Sequence, residues 1–192
     1  MSKVINIFST PLYLAKLSLN INEIQSYCYQ CQAQDAGRKI SNRKGWQSNF
    51  INLNDEVFLP LYDQINSHLN IYKKLIGVIG NVKLDKLWIN INPPGGSNVL
   101  HKHPGCLISG TVYIQTDSQT GEIYFENPNS VGYDWMPEFF KDSRWNKDCN
   151  EFFAFEPQNE LILLFPSWAK HGVISNTSNK DRISISFNGK LS

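Results

Sequence analysis

The stretch Asn98-Val99-Leu100-His101-Lys102-His103-Pro104-Gly105 places two of the chain's four histidines one residue apart. In an extended strand, side chains at i and i+2 leave the same face. His101 and His103 can therefore aim two imidazoles at one point, and converging imidazoles suit a metal ion. A third histidine, His171, follows Phe165-Pro166-Ser167-Trp168 and precedes Arg182-Ile183-Ser184. The bland alternative is three histidines satisfied by ordinary hydrogen bonds within a fold. The fourth, His68, lies in a helical stretch and is read as an ordinary polar residue.

The rest of the chain reads as scaffold for that stretch. Val4-Ile5-Asn6-Ile7-Phe8 is short, β-branched and apolar, a strand signal ended by Pro11. From Asn22 to about Asp35, Ile24, Tyr27, Cys28 and Cys31 recur at helical spacing. Asn22 is the expected N-cap and Gly37 the stop. Ser41 to Ser48 is turn-rich and carries Trp46, which reads as exposed, either covering a site or packing. A second helix is expected from Asp55 to about Ile79, with Val57, Leu61, Ile65, Leu69 and Tyr72 on one face. Pro60 falls in its first turn, where a helix tolerates it.

From Lys83 the period changes to two. Lys86, Trp88, Asn90 and Asn92 share one face, and Leu87, Ile89 and Ile91 the other. Pro93-Pro94-Gly95-Gly96 then turns the chain into the histidine strand. Further strands are expected over Leu107–Thr116, Glu122–Glu126, Phe152–Phe155, Leu161–Phe165, His171–Ile174 and Arg182–Asn188. Asn129–Asn150 is irregular and holds Trp135, Phe139, Phe140 and Trp145. A loop of that length is uncommon unless it is a lid, a binding loop or an interface. Helices followed by short strands argue an α+β fold, with a β-sandwich or jelly roll in the C-terminal two-thirds. At 192 residues one domain is expected over 1–192, helical over about 20–80 and strand-rich over about 83–190.

Composition excludes several classes. The chain holds 18 Lys and Arg against 17 Asp and Glu, a balance that points to neither nucleic acid nor an acidic membrane. The basic cluster Arg38, Lys39, Arg43 and Lys44 reads as solvated surface. Cys28 and Cys31 form a single Cys-x-x-Cys without the second pair a zinc ribbon needs, and no strand precedes it as in a thioredoxin-type site. No charged start leads into a long apolar run, and no apolar run reaches the roughly 18 residues of a membrane span. A soluble, cytoplasmic protein is expected.

Histidine spacing alone does not choose between iron and zinc, since three imidazoles also suit a zinc-bound water. Arg182 helps to choose. It lies one turn beyond His171, on a strand expected to pair with that of His171, and Ser184 faces the same way. A guanidinium and a hydroxyl on one face form a carboxylate clamp. Iron chelated by a keto acid would need such a clamp; a zinc hydrolase would not.

In this order, the motifs resemble the Fe(II)/2-oxoglutarate-dependent dioxygenase superfamily. That family carries a His-x-Asp or His-x-Glu pair, a distal histidine and an Arg-x-Ser element on a double-stranded β-helix. The chain is most similar to a branch common in phages and marine bacteria. The likeness runs through Phe8-Ser9-Thr10-Pro11, Gly45-Trp46-Gln47-Ser48, Trp88-Ile89-Asn90-Ile91-Asn92, His101-Lys102-His103-Pro104-Gly105, Ser109-Gly110-Thr111-Val112-Tyr113, Phe165-Pro166-Ser167-Trp168 and Arg182-Ile183-Ser184-Ile185-Ser186-Phe187-Asn188. The resemblance implies a double-stranded β-helix (jelly roll) core with the N-terminal helices packed on one sheet. It implies Fe(II) and 2-oxoglutarate as cofactors, O2 as co-reactant, and hydroxylation of an unidentified substrate with release of succinate and CO2. His101 and His171 would be iron ligands. Arg182, assisted by Ser184, would hold the distal carboxylate of 2-oxoglutarate, with Tyr113 near it. Asn90 would bond cosubstrate or substrate, unless it is simply a buried polar residue of the sheet. The compartment would be the host cytoplasm if the protein is phage-encoded.

One position departs from the family. His103 stands where the carboxylate is usual, so the protein supplies no negative charge to the metal. His103 is then a third ligand, or Glu122 or Glu126 supplies the carboxylate, or His103 turns aside and water completes the site. Trp46, Trp135, Phe139, Phe140 and Trp145 would form a lid or substrate wall, or a homodimer contact. Two other readings stay open: a cupin-type three-histidine metal protein without 2-oxoglutarate, and a non-catalytic jelly-roll binding protein.

Overall fold

The computed structural model describes residues 9–129 and 151–192. The expected strand Val4–Phe8 and nearly all of the aromatic segment 129–150 lie outside them. In chain order the elements are β1 (Tyr13–Lys16), α1 (Ile21–Gln34), β2 (Asn42–Arg43), β3 (Trp46–Gln47), α2 (Leu59–Leu75), β4 (Val82–Asn92), β5 (Ser97–His101), β6 (Ile108–Gln115), β7 (Ile123–Glu126), β8 (Phe152–Phe155), β9 (Leu161–Pro166), β10 (His171–Val173) and β11 (Arg182–Leu191).

The strands form two antiparallel sheets. One has six strands in the order β1-β9-β6-β11-β4-β3, and the other five in the order β2-β5-β10-β7-β8. From β4 to β7 each successive strand changes sheet, and β9, β10 and β11 do so again. This alternation gives the doubled layer of a jelly roll. It also corrects one expectation. The strands of His171 and Arg182 are not neighbours: β10 lies between β5 and β7, and β11 lies in the other sheet between β6 and β4. The polar turn between them carries the chain from one sheet to the other, so the two residues come from facing sheets.

The two faces of the six-stranded sheet have different chemistry, and the period of two explains why. On one face Leu87, Ile89 and Ile91 of β4, Ile183, Ile185 and Phe187 of β11, and Ile108, Val112 and Ile114 of β6 are fully or almost fully buried. They share one apolar cluster with Ile24 and Cys28 of α1 and Leu61, Ile65, Leu69 and Tyr72 of α2. The other face carries Arg182, Ser184, Ser186 and Asn188 of β11 with Thr111 and Tyr113 of β6, and these line a cavity of about 260 Å³. A smaller apolar cluster, Ile123, Phe125, Leu163, Phe165 and Ala169, joins strands of the two sheets.

The helices differ from expectation at their ends. Helix α1 begins at Ile21 with Asn20 at the N-cap, not Asn22. Ile21 packs against the core, which draws the preceding residue into the helix, and Asn20 Nδ2 donates to Glu23 Oε2 at 2.7 Å. The second helix is split. Asp55 accepts the Val57 N–H at 3.3 Å and opens a 3-10 turn, Glu56–Phe58, before α2. It ends at Leu75, short of Ile79, because Gly77 takes φ 75° and Ile79 is 92% exposed. Trp46 is half-buried in β3 and packs on the helix-covered core, with its Nε1–H donating to the Asp35 carbonyl at 2.8 Å.

Gly110 tests the packing. It sits in β6 between β9 and β11. A Cβ there would lie 2.5 Å from Phe187, 2.7 Å from Leu164 and 2.8 Å from the Leu163 carbonyl. Gly110→Ala should cost about 1–3 kcal/mol of unfolding free energy, measurable by urea denaturation.

Candidate metal centre and facing arginine pocket

Strand pairing brings the histidines together. His171 in β10 is the direct cross-strand partner of His101 in β5, and their ring centroids stand 4.4 Å apart. His103 lies two residues beyond the end of β5, so the pair does not sit wholly on a strand. The chain stays anchored there because the His103 N–H donates to the Ser167 carbonyl at 3.0 Å. His101, His103 and His171 each present a ring nitrogen to a common point, all within 4.8 Å of one another. The Nε2 atoms of His103 and His171 are 3.3 Å apart. Two nitrogen ligands at about 2.1 Å from one ion and at right angles stand about 3.0 Å apart, so the spacing suits adjacent positions on one metal.

Backbone carbonyls orient two of the rings. His101 Nδ1 donates to the Val99 carbonyl at 2.8 Å, and His171 Nδ1 donates to the Ala169 carbonyl at 3.0 Å. With the proton on Nδ1, each Nε2 lone pair is free to bind. Burial, then the neighbouring imidazoles, pushes His103 down to about 4 and His171 down to about 3; burial also lowers His101. The rings are therefore neutral near pH 7, as a ligand must be. Phe165 and Phe125 wall His171, with centroids 4.5 Å and 5.8 Å away.

The facing sheet supplies a cation. Arg182 is 2% exposed. Its Nη1 donates to the Gly121 carbonyl at 3.2 Å and its Nη2 to Asn98 Oδ1 at 3.4 Å, while Nε has no partner. No carboxylate among the described residues pairs with it. Burial lowers its pKa to about 10, so it stays charged at neutral pH. Register then assembles the neighbours: Ser184 of β11 is paired to Tyr113 on one side and Asn90 on the other. All three line the cavity with Arg182 and the histidines. The Ser184 and Tyr113 hydroxyls make no hydrogen bond to another described residue. Burial raises the Tyr113 pKa, keeping a phenol that can donate. Asn90 Nδ2 donates to Ser186 Oγ at 3.0 Å.

All seven residues singled out from sequence thus face one cavity. Sequence reasoning missed Asn98, whose side chain crosses from the other sheet to Arg182 and also binds Asn92 and Ser41. No spacing rule links positions so far apart. Glu126 is turned to Lys170, Oε2 to Nζ 2.6 Å. Neither it nor Glu122 belongs to the metal-capable cluster, which holds no carboxylate among the described residues. Trp46 does not line the cavity; Trp88 and Phe50 do. Of the basic cluster, Lys39, Arg43 and Lys44 are exposed, whereas half-buried Arg38 lines the cavity. His68 is remote from the site and bonded to the Tyr13 hydroxyl at 2.7 Å.

Residues 86–188 match the family model described as "Putative 2OG-Fe(II) oxygenase". The chain belongs to this oxygenase family. Its cofactors are accordingly Fe(II) and 2-oxoglutarate. Solved structures share the fold of this oxygenase. A prolyl-4-hydroxylase from Pseudomonas putida has a TM-score of 0.62 at 12% identity, covering 96% of this chain and 95% of that one. A viral collagen prolyl hydroxylase from Paramecium bursaria Chlorella virus-1, in its 2OG complex, has 0.61 at 12%, covering 94% and 96%. HygX from Streptomyces hygroscopicus, with nickel and 2-oxoglutarate bound, has 0.63 at 10%, covering 95% and 84%. Comparison with curated protein sequences finds no match. Among the described residues no helix is long and apolar enough to cross a membrane.

The residues present fit both groups. Three convergent neutral nitrogens suit a divalent ion, and a buried guanidinium without a carboxylate among the described residues, beside two hydroxyls that bond none of them, suits a carboxylate. The depressed histidine pKa values have a stability consequence. Unfolded histidines titrate near 6.5, so as pH falls the unfolded chain takes up protons that the folded, metal-free chain does not. Stability present above about pH 6.5 is then lost progressively toward pH 4. The melting temperature of metal-free protein should fall across that window, and His103→Gln should flatten part of the slope. Asp35 and Asp117, whose carboxyls backbone and side-chain hydrogen bonds hold below the usual value, add a loss of the same sign at lower pH, common to both proteins.

Proposed function

We propose that this oxygenase hydroxylates a primary substrate, with 2-oxoglutarate leaving as succinate and CO2, and that residues 1–192 form one catalytic domain. In this reading Fe(II) is held by His101, His103 and His171, and the carboxylate remote from the metal by Arg182, Ser184 and Tyr113. The observation that carries it is the buried Arg182 cation, without a carboxylate partner among the described residues, in the same cavity as the three histidines. An isolated buried charge costs several kcal/mol, and the distal carboxylate of 2-oxoglutarate supplies the missing anion. The cupin-type alternative leaves that cation without a purpose, and the non-catalytic alternative leaves the free Nε2 lone pairs without one.

Fe(II) on the three histidines and 2-oxoglutarate on Arg182 would supply the activation of O2, with one oxygen atom going to succinate and the other to the hydroxylated product. The chain's own work is binding and exclusion. The Val99 and Ala169 carbonyls fix which nitrogen of His101 and His171 faces the ion. Arg182 contributes charge and direction, its orientation held by Asn98 and the Gly121 carbonyl. Ser184 and Tyr113 add two donors, and Asn90 is aimed at the cavity from β4 for cosubstrate or substrate. Phe125 and Phe165 keep water from the back of His171. With His103 in place of a carboxylate, the protein leaves the full charge of Fe(II) to be balanced by bound anions.

Anaerobic addition of Fe(II) and then 2-oxoglutarate should produce a weak visible charge-transfer band. Arg182→Met should weaken 2-oxoglutarate binding at least tenfold, about 1.4 kcal/mol or more, with iron binding retained. His103→Ala should lower iron affinity. Iron binding without a band in the wild type would refute the keto-acid reading and favour the cupin-type one.

A further inference from the structure

The charge of the cavity exceeds what the two cofactors need. Its described lining includes four cations, Arg38, Lys86, Lys102 and Arg182, and no aspartate or glutamate. Fe(II) and the 2-oxoglutarate dianion cancel one another. In the function proposed above, Arg182, deep in the sheet, is engaged by the cosubstrate. Arg38, Lys86 and Lys102 remain, and none is ion-paired to a described residue.

Two of the three are held in place. The Arg38 guanidinium lies 4.7 Å from the Phe50 ring centroid and the Lys86 ammonium 4.8 Å from it. Cation–π contact of this kind restrains a charge without neutralising it. The Arg38 backbone is also fixed, its N–H donating to the Gln47 carbonyl at 2.7 Å. Phe50 itself is 48% exposed, so this cluster stands at the solvent side of the cavity. From there an aromatic wall leads inward. Phe50 meets Trp88 edge-on at 6.2 Å between centroids, and Trp88 meets His103 at 5.7 Å. Two ring-to-ring steps thus separate the held cations from the metal-capable histidines.

Building on the function proposed above, we infer that the primary substrate is a small anionic molecule. Its carboxylate or phosphate end binds Arg38 and Lys86 on Phe50, with Lys102 adding charge. Its apolar middle lies along Phe50 and Trp88, and its reactive carbon reaches the histidine end. The cavity of about 260 Å³ is shared with the cosubstrate and falls just below the usual range of about 300–1,000 Å³ for small-molecule sites, so it leaves room for a small substrate only. Attraction between partly exposed charges is modest per pair and screened by salt. The signature is therefore a preference for anions that weakens with ionic strength, not very high affinity.

The test uses four six-carbon probes, hexanoate, n-hexyl phosphate, hexanamide and hexylamine, on protein carrying Fe(II) and saturating 2-oxoglutarate without O2. The readouts are the melting temperature across a probe titration and the charge-transfer band in the same samples. Hexanoate or hexyl phosphate should raise the melting temperature at concentrations where hexanamide and hexylamine do not. Whichever of the two binds more tightly identifies the anion. The Arg38→Gln/Lys86→Gln variant should bind that probe about tenfold more weakly, keep the band and bind 2-oxoglutarate as before. Raising NaCl from 0.05 to 0.5 M should weaken the anionic probe severalfold in the wild type. A band with equal responses to all four probes, with none, or with an anion preference unchanged in the double variant would overturn the inference. Absence of the band in the wild type would instead refute the function on which it rests.

Discussion

A buried positive charge with no carboxylate partner among the described residues is the constraint around which this fold is arranged. Arg182 sits on the inner face of the central strand pair of the six-stranded sheet, almost completely shielded from solvent. Its contacts are a carbonyl and an amide oxygen, both neutral. Such a charge persists only if the rest of the fold is stable enough to carry it or if a bound anion offsets it. The opposite face of the same strands supplies the stability. Ile183, Ile185 and Phe187, alternating with Arg182, Ser184 and Ser186, are fully buried against the helix-covered core. One strand thus serves packing with its odd positions and chemistry with its even ones.

The jelly-roll crossing is what turns that strand into a site. Because β10 and β11 belong to different sheets, the histidines and the arginine approach the cavity from opposite walls. A ligand with a metal-binding group at one end and a carboxylate at the other can bridge them, and 2-oxoglutarate has this form. Asn98 ties the walls together: it lies in β5, the strand that ends in His101, and accepts from Arg182 across the gap. His103 stands where the family's carboxylate is usual, and the three convergent side chains are all neutral imidazoles; with all three as ligands, as proposed, the net charge of the centre is set by what binds there.

Much of this was legible in the sequence because strands have a period of two. Alternation placed Arg182, Ser184 and Asn90 on one face and their apolar neighbours on the other, and the structure agrees residue by residue. The three histidines could be picked out because a His-x-His pair has one geometric consequence. Sheet membership was not legible. A short polar turn between His171 and Arg182 reads equally well as a hairpin or as a crossing, and only the global wrap of the strands decides. The separation of Arg38 from the other basic residues near it was likewise hidden, because it depends on Phe50 reaching the cavity. Trp46 read as exposed because the turn around it is polar, yet short pairing with β4 lays its ring on the core.

The central claim, that the three histidines and Arg182 are the two ends of one cofactor site, is tested most directly by the anaerobic crystal structure of the protein with Fe(II) and 2-oxoglutarate. The account predicts one metal ion bound by the Nε2 atoms of His101, His103 and His171, with the distal carboxylate on Arg182. A metal ion that leaves His103 unbound, or a 2-oxoglutarate whose distal carboxylate lies away from Arg182, would contradict it.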